Sequence, residues 1–584
     1  MSEVRPEPHQ QRRPQRPAGV EARAGKFPGP SLIPALNAIQ ERRGWLPREE
    51  LVDLARDTRR PLYEVQGLVS FYPHFRTSPP PAVALHACHD LSCWLRGSDE
   101  RIAELRAAYG EDTDVELVEV SCLGRCDVAP AVAVNEEPAS VDRTAGLVEA
   151  ARRGALEHAG PTPSGRDRPW PNDPYAAGDE RYRVLRRLLA GELDADALVA
   201  ALQESGLRGM GGAGFPTGKK WELVAGQGDA AAGRAPYAVC NADESEPGTF
   251  KDRQILADQP HLVLEGLLLG MVVVGAEEGW VFIRHEYGPE ADVLRDELDR
   301  LRERGLLGAD VLGSGRRLEV ELFVSPGGYI LGEESAMLEC MEGHRGEPRN
   351  KPPFPGVFGL WGRPTLINSV ETFADVPVIV ERGARWWREQ GVGDSVGLKF
   401  FAVSGHVQRP GVYCVPMGST VRELLDLAGG MADGAELAAV QPGGASSNFL
   451  GPDALDTRLD FDTLAEAGSM LGSGAVVAMA EGTDVLAAAT NTLRFFRNES
   501  CGKCVPCRVG THKAHAILSR AREDAGPDGT RTGLDDTGRA VVLELERTLR
   551  KTSICGLGQV ALGPVASALG LQRGGPAARP MPRD

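Results

Sequence analysis

Apolar residues near the start of the chain recur at helical spacing. Leu32, Leu36 and Ile39, then Leu51, Leu54 and Ala55, then Val65, Leu68 and Val69 predict three short helices, with Pro47 and Pro61 at the turns between them. Past the breaker Thr77-Ser-Pro-Pro-Pro81 the period shortens. Strands are expected at 82–87, 115–120 and 131–135 and helices at 98–109 and 144–153, which together make a compact α/β unit. The stretch 160–174 carries five prolines and reads as a linker. Beyond it, a helix at 197–202 and strands at 237–240, 281–284 and 318–324 predict a larger alternating α/β region. A smaller β-rich unit follows at about 397–480, with strands near 398–404 and 412–415 and a helix at 421–427. Helices at 511–522 and 538–551 complete the pattern. These breaks divide the chain into domains at 27–159, 179–394, 395–482 and 483–571, with a linker at 160–178 and tails at 1–26 and 572–584.

Composition narrows the picture. A chain of 584 residues has room for several cores, and its net charge of −17 argues against nucleic acid as a partner, since phosphate backbones need a basic surface. The most apolar run, 262–274, is interrupted by Glu265, Gly266 and Gly270, so no segment reaches membrane length and no direct membrane insertion is expected. The first thirty residues, rich in Arg, Pro and Gln, read as a disordered tail and not as an export signal, because no hydrophobic segment follows Arg12 and Arg13. Eight of the eleven cysteines fall in two tight groups with metal-ligand spacing, which points to a reducing cytoplasm and not to disulfides.

The first group is Cys88-x4-Cys93 followed, after 28 intervening residues, by Cys122-x3-Cys126. Both pairs fall at the ends of expected strands, so four thiolates arrive from two loops and suit a 2Fe-2S cluster or a structural zinc. Zinc knuckles use C-x2-C more often, and the wider spacings favour the cluster. The second group is Cys501-x2-Cys504-x2-Cys507 with Cys555 after 47 intervening residues. Such an overlapping triplet plus one distant cysteine gives a cubane one thiolate per iron and is a poor match to paired zinc knuckles. Cys240, Cys340 and Cys414 read as ordinary small buried residues.

A third feature is the segment Gly206-Leu-Arg-Gly-Met-Gly-Gly-Ala-Gly-Phe-Pro-Thr-Gly218, with six glycines in thirteen positions and Arg208, Lys219 and Lys220 at its edges. Glycines this dense let successive N–H groups line one concavity, fit to bind phosphate oxygens or to admit a flat ring. Gly209, Gly211 and Gly214 satisfy G-x-G-x-x-G, yet a helix and not a strand precedes them, so the dinucleotide fingerprint fails its context test. Two more Gly- and acid-rich segments, 241–253 and 327–335, follow expected strands. Polar side chains at the carboxyl ends of strands are placed to line a ligand crevice.

Cys88-His-Asp-Leu-Ser-Cys93 and Cys122-Leu-Gly-Arg-Cys126, behind the segment Val69-Ser-Phe-Tyr72, resemble the 24 kDa-type, thioredoxin-like 2Fe-2S subunit of NADH dehydrogenases, and residues from about 180 to 570 resemble the 51 kDa-type NADH-binding subunit of the complex I family. The signatures are Glu499-Ser-Cys-Gly-Lys-Cys-Val-Pro-Cys-Arg508, Ser553-Ile-Cys-Gly-Leu-Gly558 and Asn241-Ala-Asp-Glu-Ser245. The resemblance implies a multidomain α/β protein. Its parts would be a helical plus thioredoxin-like 2Fe-2S domain, a Rossmann-like FMN/NADH domain, a ubiquitin-like β-grasp domain and a C-terminal helical 4Fe-4S domain. It implies Cys88, Cys93, Cys122 and Cys126 as 2Fe-2S ligands and Cys501, Cys504, Cys507 and Cys555 as 4Fe-4S ligands. FMN and NAD(H) contacts would come from Arg208, Gly209, Gly211, Gly212, Gly214, Phe215, Lys220, Asn241, Asp243, Glu244, Ser245, Tyr329, Gly332, Glu333, Glu334 and Asn368. Phe215, with Phe358 or Phe354, would stack the adenine, while Leu223 stands where some members have Phe.

The implied activity is NADH:acceptor oxidoreduction, with no catalytic side chain beyond possible tuning by Glu333 and Glu334. The implied partner is a catalytic iron–sulfur subunit. Fusion of the two parts, together with Gly209-Met-Gly211 and the form 347–356, is closest to the diaphorase subunit of soluble NAD-dependent formate dehydrogenase. A hydrogenase diaphorase comes second and a complex I arm third. A zinc- or cluster-bearing assembly factor is the non-enzymatic alternative.

Overall fold

The computed structural model of the chain describes residues 31–162, 164–166, 169–175, 181–228, 235–523 and 534–572. The expected tail at 1–26 and residues 573–584 lie outside them.

Three short helices, Ile33–Arg43, Arg48–Asp57 and Leu62–Val69, form where the apolar spacing places them. Pro47 and Pro61 occupy the N-cap positions of the second and third, where a missing N–H costs nothing. The α/β unit after them has four strands, β1 (Val83–Cys88), β2 (Val115–Val120), β3 (Ala131–Val134) and β4 (Glu137–Ser140), in the order β2-β1-β3-β4. β1 and β2 are parallel; β3 runs antiparallel to β1 and forms a hairpin with β4. β4 and the five-residue helix Leu91–Leu95 were not expected, because both are too short to show a period.

The helices and the α/β unit, contiguous in sequence at 27–159, have different cores. The sheet packs Val83, Leu85, Ile102, Val132 and Val148 into its own cluster, whereas Leu36, Leu51 and Leu68 share a core with Met337, Phe495 and Leu518 far along the chain. Hydrogen bonds from Asn37 Nδ2 to the Val324 carbonyl (3.0 Å) and from the Tyr72 hydroxyl to the His344 carbonyl (2.7 Å) fix that docking.

The large region is a parallel sheet, β5 (Tyr237–Ala242), β6 (Glu278–Arg284), β7 (Glu319–Ser325) and β8 (Thr365–Ser369), in the order β7-β6-β5-β8. β8 escapes the sequence pattern because it is five residues long and runs directly into the helix Val370–Arg382. The apolar run 262–274 becomes the helix Pro260–Val274, buried along nearly its whole length, and no single helix among the described residues is long and apolar enough to cross a membrane. The proline-rich stretch is no free tether: Trp170, Asn172 and Tyr175 are buried, and Trp170 Nε1 donates to Asp258 at 2.8 Å.

The third sheet, β9 (Leu398–Gly405), β10 (Gly411–Pro416), β11 (Leu437–Gln441) and β12 (Ala475–Ala480), has the order β10-β9-β12-β11, with only β9 and β12 parallel. A fully buried carboxylate, Glu371, joins it to the large sheet by accepting from Lys251 Nζ (2.7 Å), Lys399 Nζ (2.6 Å) and the Phe400 amide (2.8 Å). Losing either lysine would leave buried charge unbalanced. The helices Val485–Asn498, Val505–Glu523 and Asp536–Thr552, with two short ones after them, end the fold.

Candidate flavin and iron–sulfur sites

Cys88 ends β1, Cys93 lies in the helix Leu91–Leu95, and Cys122 and Cys126 flank the tight turn after β2; all four are buried. Cys122 Sγ is 3.7 Å from Cys126 Sγ, close to the edge of a tetrahedron with metal–sulfur bonds of about 2.3 Å. The Gly124 and Ala131 amides donate to Cys122 and Cys93 Sγ at 3.4 Å, as backbone amides around a cluster do. The donor set therefore fits a 2Fe-2S cluster. Three buried arginines surround this loop, a feature the spacing of cysteines did not reveal. Arg284 donates to the Cys122 carbonyl (2.7 Å), Arg253 to the Gly124 carbonyl (2.8 Å) and to Asp127 (2.7 Å), and Arg125 to Glu290 (3.2 Å). Arg253 ends the polar segment 241–253 and Arg284 ends an expected strand, and those positions were the only signal.

The second cysteine group gathers at the start of the helix Val505–Glu523. Cys507 is buried and accepts from, or donates to, Ser500 Oγ at 3.2 Å; Cys501, Cys504 and Cys555 are half-buried, and Cys555 caps the helix Gly556–Val560. Burial pushes the thiols of Cys507 and Cys555 up to about 11 and 12, a cost that iron ligation would reverse because metals take the thiolate. A Cβ on Gly558 would lie 2.9 Å from Cys507 Cβ, so position 558 must be small for Cys555 and Cys507 to converge. This set fits a 4Fe-4S cluster.

The glycine segment, residues 241–245 and Gly332 converge at the carboxyl ends of β5 and β8, the place where an open parallel sheet offers a ligand crevice. The glycine segment sits between two helices, Ala195–Ser205 and Thr217–Ala225, and closes on itself: the Gly209 amide donates to the Phe215 carbonyl (2.8 Å), and the Gly214 amide to the Gly209 carbonyl (3.2 Å). Among the described residues the amides of Gly211, Gly212 and Ala213 donate to no protein acceptor, which leaves three successive donors for an anion. Gly212 and Gly214 have φ of +114° and +64°, where a side chain would be strained. Lys220 Nζ reaches the Ile367 carbonyl (2.9 Å), its pKa lowered by burial, and Trp221 Nε1 donates to Asn368 (3.2 Å). Asn241 Nδ2 donates to the Gly332 carbonyl (2.9 Å) and so brings the second and third segments together. Asp243 accepts from Ser245 and from Ser325 Oγ (3.1 Å), and burial still pushes its carboxyl up to about 7. Amides, a cation and polar side chains around one crevice are a donor set that fits FMN.

Other expected contacts are occupied within the protein. Glu244 accepts from the Asp252 (2.8 Å) and Arg253 (3.0 Å) amides and the Tyr287 hydroxyl (3.0 Å), which caps the helix Lys251–Asp258; burial raises its carboxyl to about 7. Arg208 bonds the Gly214 carbonyl (2.8 Å) and lies 4.1 Å over the Phe461 ring, holding the glycine loop against the third-sheet domain. Glu333 caps the helix Glu334–Met341, and Lys351 bridges Glu333 and Glu334 at 2.7 Å each. The Tyr329 ring packs on Phe495 and its amide donates to Glu499 (2.9 Å). Phe215, Leu223 and Phe354 are exposed, and Phe358 is half-buried.

The family description "Nuo51 FMN-binding domain" matches residues 202–378, "Thioredoxin-like [2Fe-2S] ferredoxin" 25–150, "NADH-ubiquinone oxidoreductase-F iron-sulfur binding region" 487–573 and "SLBB domain" 400–448. The F 2 subunit of NADH-quinone oxidoreductase from Rhizobium meliloti (strain 1021) is 47% identical over 356 residues, 61% of this chain and 83% of that protein. The chain belongs to this family. NADP-reducing hydrogenase subunit HndC of Solidesulfovibrio fructosivorans is 42% identical over 373 residues, 64% of this chain and 74% of its own. A crystal structure of NAD+-reducing [NiFe]-hydrogenase in the H2-reduced state is similar over 95% of this chain and 94% of the solved one, with a TM-score of 0.81 and 29% identity. The chain is thus a flavin and iron–sulfur oxidoreductase subunit of the NADH dehydrogenase type, with FMN, NAD(H), one 2Fe-2S and one 4Fe-4S cluster as its cofactors.

Proposed function

We propose that the chain is the diaphorase subunit of a soluble multi-subunit enzyme, passing electrons between NADH and a catalytic iron–sulfur partner. The observation that carries this reading is the joining of the crevice to the C-terminal cysteine loop: the Tyr329 amide on the crevice side donates to Glu499, two residues before Cys501. A flavin bound in the crevice supplies exchange between two-electron hydride chemistry and one-electron transfer. The amides of 211–213 and Lys220 hold its phosphate, and Asn241, Asp243, Ser245 and Asn368 orient its polar edges. Gly209, Gly212, Gly214 and Gly332 keep backbone close to it. Glu244 and Arg208 act through the helix and loop they fix, Glu333 and Glu334 set the charge at the nicotinamide side, and Phe215 with Phe358 or Phe354 offers faces for the adenine. The four cysteines of each group hold the clusters. Exposed Val505, Val509 and Ile554 beside Cys504 and Cys555 form an apolar rim suited to a partner protein.

The partner we favour is a formate dehydrogenase catalytic subunit, on the strength of the Gly209-Met-Gly211 and 347–356 sequence forms. A hydrogenase catalytic subunit is the second reading, supported by likeness to the NAD+-reducing hydrogenase along nearly the whole chain. Co-purification of the complex, followed by NAD+ reduction with formate and with hydrogen in parallel, separates them. Formate-dependent reduction supports the first; hydrogen-dependent reduction with none from formate overturns it.

A further inference from the structure

Away from both cysteine groups, three metal-ligating side chains from three parts of the fold meet at one point. His74 follows the N-terminal helices, Glu136 sits at the tip of the β3–β4 hairpin, and His285 directly follows β6. One ligand atom from each lies within 4.8 Å of the others. The imidazole centroids of His74 and His285 are 4.1 Å apart, and His74 Nδ1 is 3.7 Å from Glu136 Oε1. We propose that His74, Glu136 and His285 form a binding site for a divalent transition ion of the zinc type, which clamps the helical unit, the 2Fe-2S domain and the FMN domain together.

Three observations point to a ligand and not to chance proximity. His285 Nδ1 is buried and has no hydrogen-bond partner; Glu286 Oε2 is 3.2 Å away but out of line. Buried polar atoms are rarely left so. Second, the hairpin turn is Asn135-Glu136 with φ of +47° and +68°. That geometry favours glycine at its second position, and here a Glu stands there with its carboxylate facing His74. Third, Gly327 (φ +80°) has no side chain where a Cβ would lie 2.7 Å from His285 Cε1, so the ring can occupy this position. Two imidazoles and one carboxylate are ligands zinc accepts, and solvent at the exposed Glu136 would fill the fourth position. Nearby Arg284 is neutralised by Glu286 (2.8 Å) and does not oppose a cation.

The test uses the anaerobically purified holoprotein with complete iron and flavin content, so that cysteine sites are filled. It is dialysed against micromolar Zn2+, and zinc per chain is measured with the melting temperature for wild type, His74→Ala and Glu136→Gln. The expected result is one zinc per wild-type chain and a rise in melting temperature. His74→Ala should lose the zinc, and Glu136→Gln should bind it at least tenfold more weakly, both with iron and flavin unchanged. Wild-type protein that takes up no stoichiometric zinc, or variants that bind it equally, would overturn the proposal. Because both variants change exposed or half-buried side chains, unchanged zinc-free melting temperatures exclude misfolding as the cause.

Discussion

Ser121 and Glu499 are joined by a 2.7 Å hydrogen bond between side chains 378 positions apart in the chain. Ser121 precedes the 2Fe-2S candidate Cys122, and Glu499 leads into the Cys501 loop while its other oxygen accepts from the Tyr329 amide. One half-buried carboxylate, its pKa raised by desolvation, thus fixes both cysteine loops and the crevice relative to one another.

Replacing Glu499 by Leu would leave the Ser121 hydroxyl and the Tyr329 amide without their acceptor. The expected loss is on the order of 2 kcal/mol of stability, with Glu499→Gln losing less because it keeps one acceptor. Thermal unfolding of the two variants checks the order; equal melting temperatures would show that the link carries no weight.

Gly124 is held at φ +68°, and a Cβ there would lie 2.5 Å from the Tyr287 hydroxyl. Gly124→Ala should therefore push the Cys122–Cys126 turn off the FMN domain, costing roughly 1–3 kcal/mol from backbone strain alone. The 2Fe-2S electron paramagnetic resonance signal should fall or shift while flavin content holds. An unaltered signal would mean that the turn can relax around the added methyl.

Burial raises the Glu265 carboxyl to about 7, despite bonds from the Tyr175 hydroxyl (2.7 Å) and Leu185 amide (3.0 Å). Its unfolded value is near 4.3, so the folded chain binds the proton more tightly. The associated stability is full below the unfolded value and is lost as pH rises through about 7, a change of a few kcal/mol at most. Glu265→Gln should flatten the decline in melting temperature between pH 5 and 7.5 relative to wild type. Parallel profiles for the two proteins would contradict this assignment.

Cys504→Ala should remove a 4Fe-4S ligand and stop delivery to the physiological partner while ferricyanide reduction persists. Cys122→Ala should lose the 2Fe-2S signal yet keep partner-linked turnover. If both substitutions lower stability and every activity together, the clusters serve as staples and not as an electron route.

Both cysteine groups were legible because ligand spacing is a local property, and so were the glycine loop and the strands leading into Asn241 and Ser325. β4 and β8 were not: each is under six residues, too short for a period, and is fixed by pairing with neighbouring strands. The split between the helices at 31–76 and the sheet after them was equally hidden, because their partners Met337 and Phe495 lie hundreds of residues away. The burial of Lys251, Lys399 and Arg284 is explained only by their tertiary pairing with Glu371 and Glu286.

The most direct test of a flavin in the glycine-loop crevice is Gly211→Leu. A Cβ at 211 would already lie 3.0 Å from Ser369 Cβ, and a leucine must displace either that wall or the crevice. Bound FMN and NADH–ferricyanide activity should be measured together on this variant and on wild type, with iron as the control for folding. We expect wild type to carry one FMN per chain, and the variant to lose at least ten-fold of both flavin and activity with its iron retained. Full activity and normal flavin content in Gly211→Leu would contradict the account.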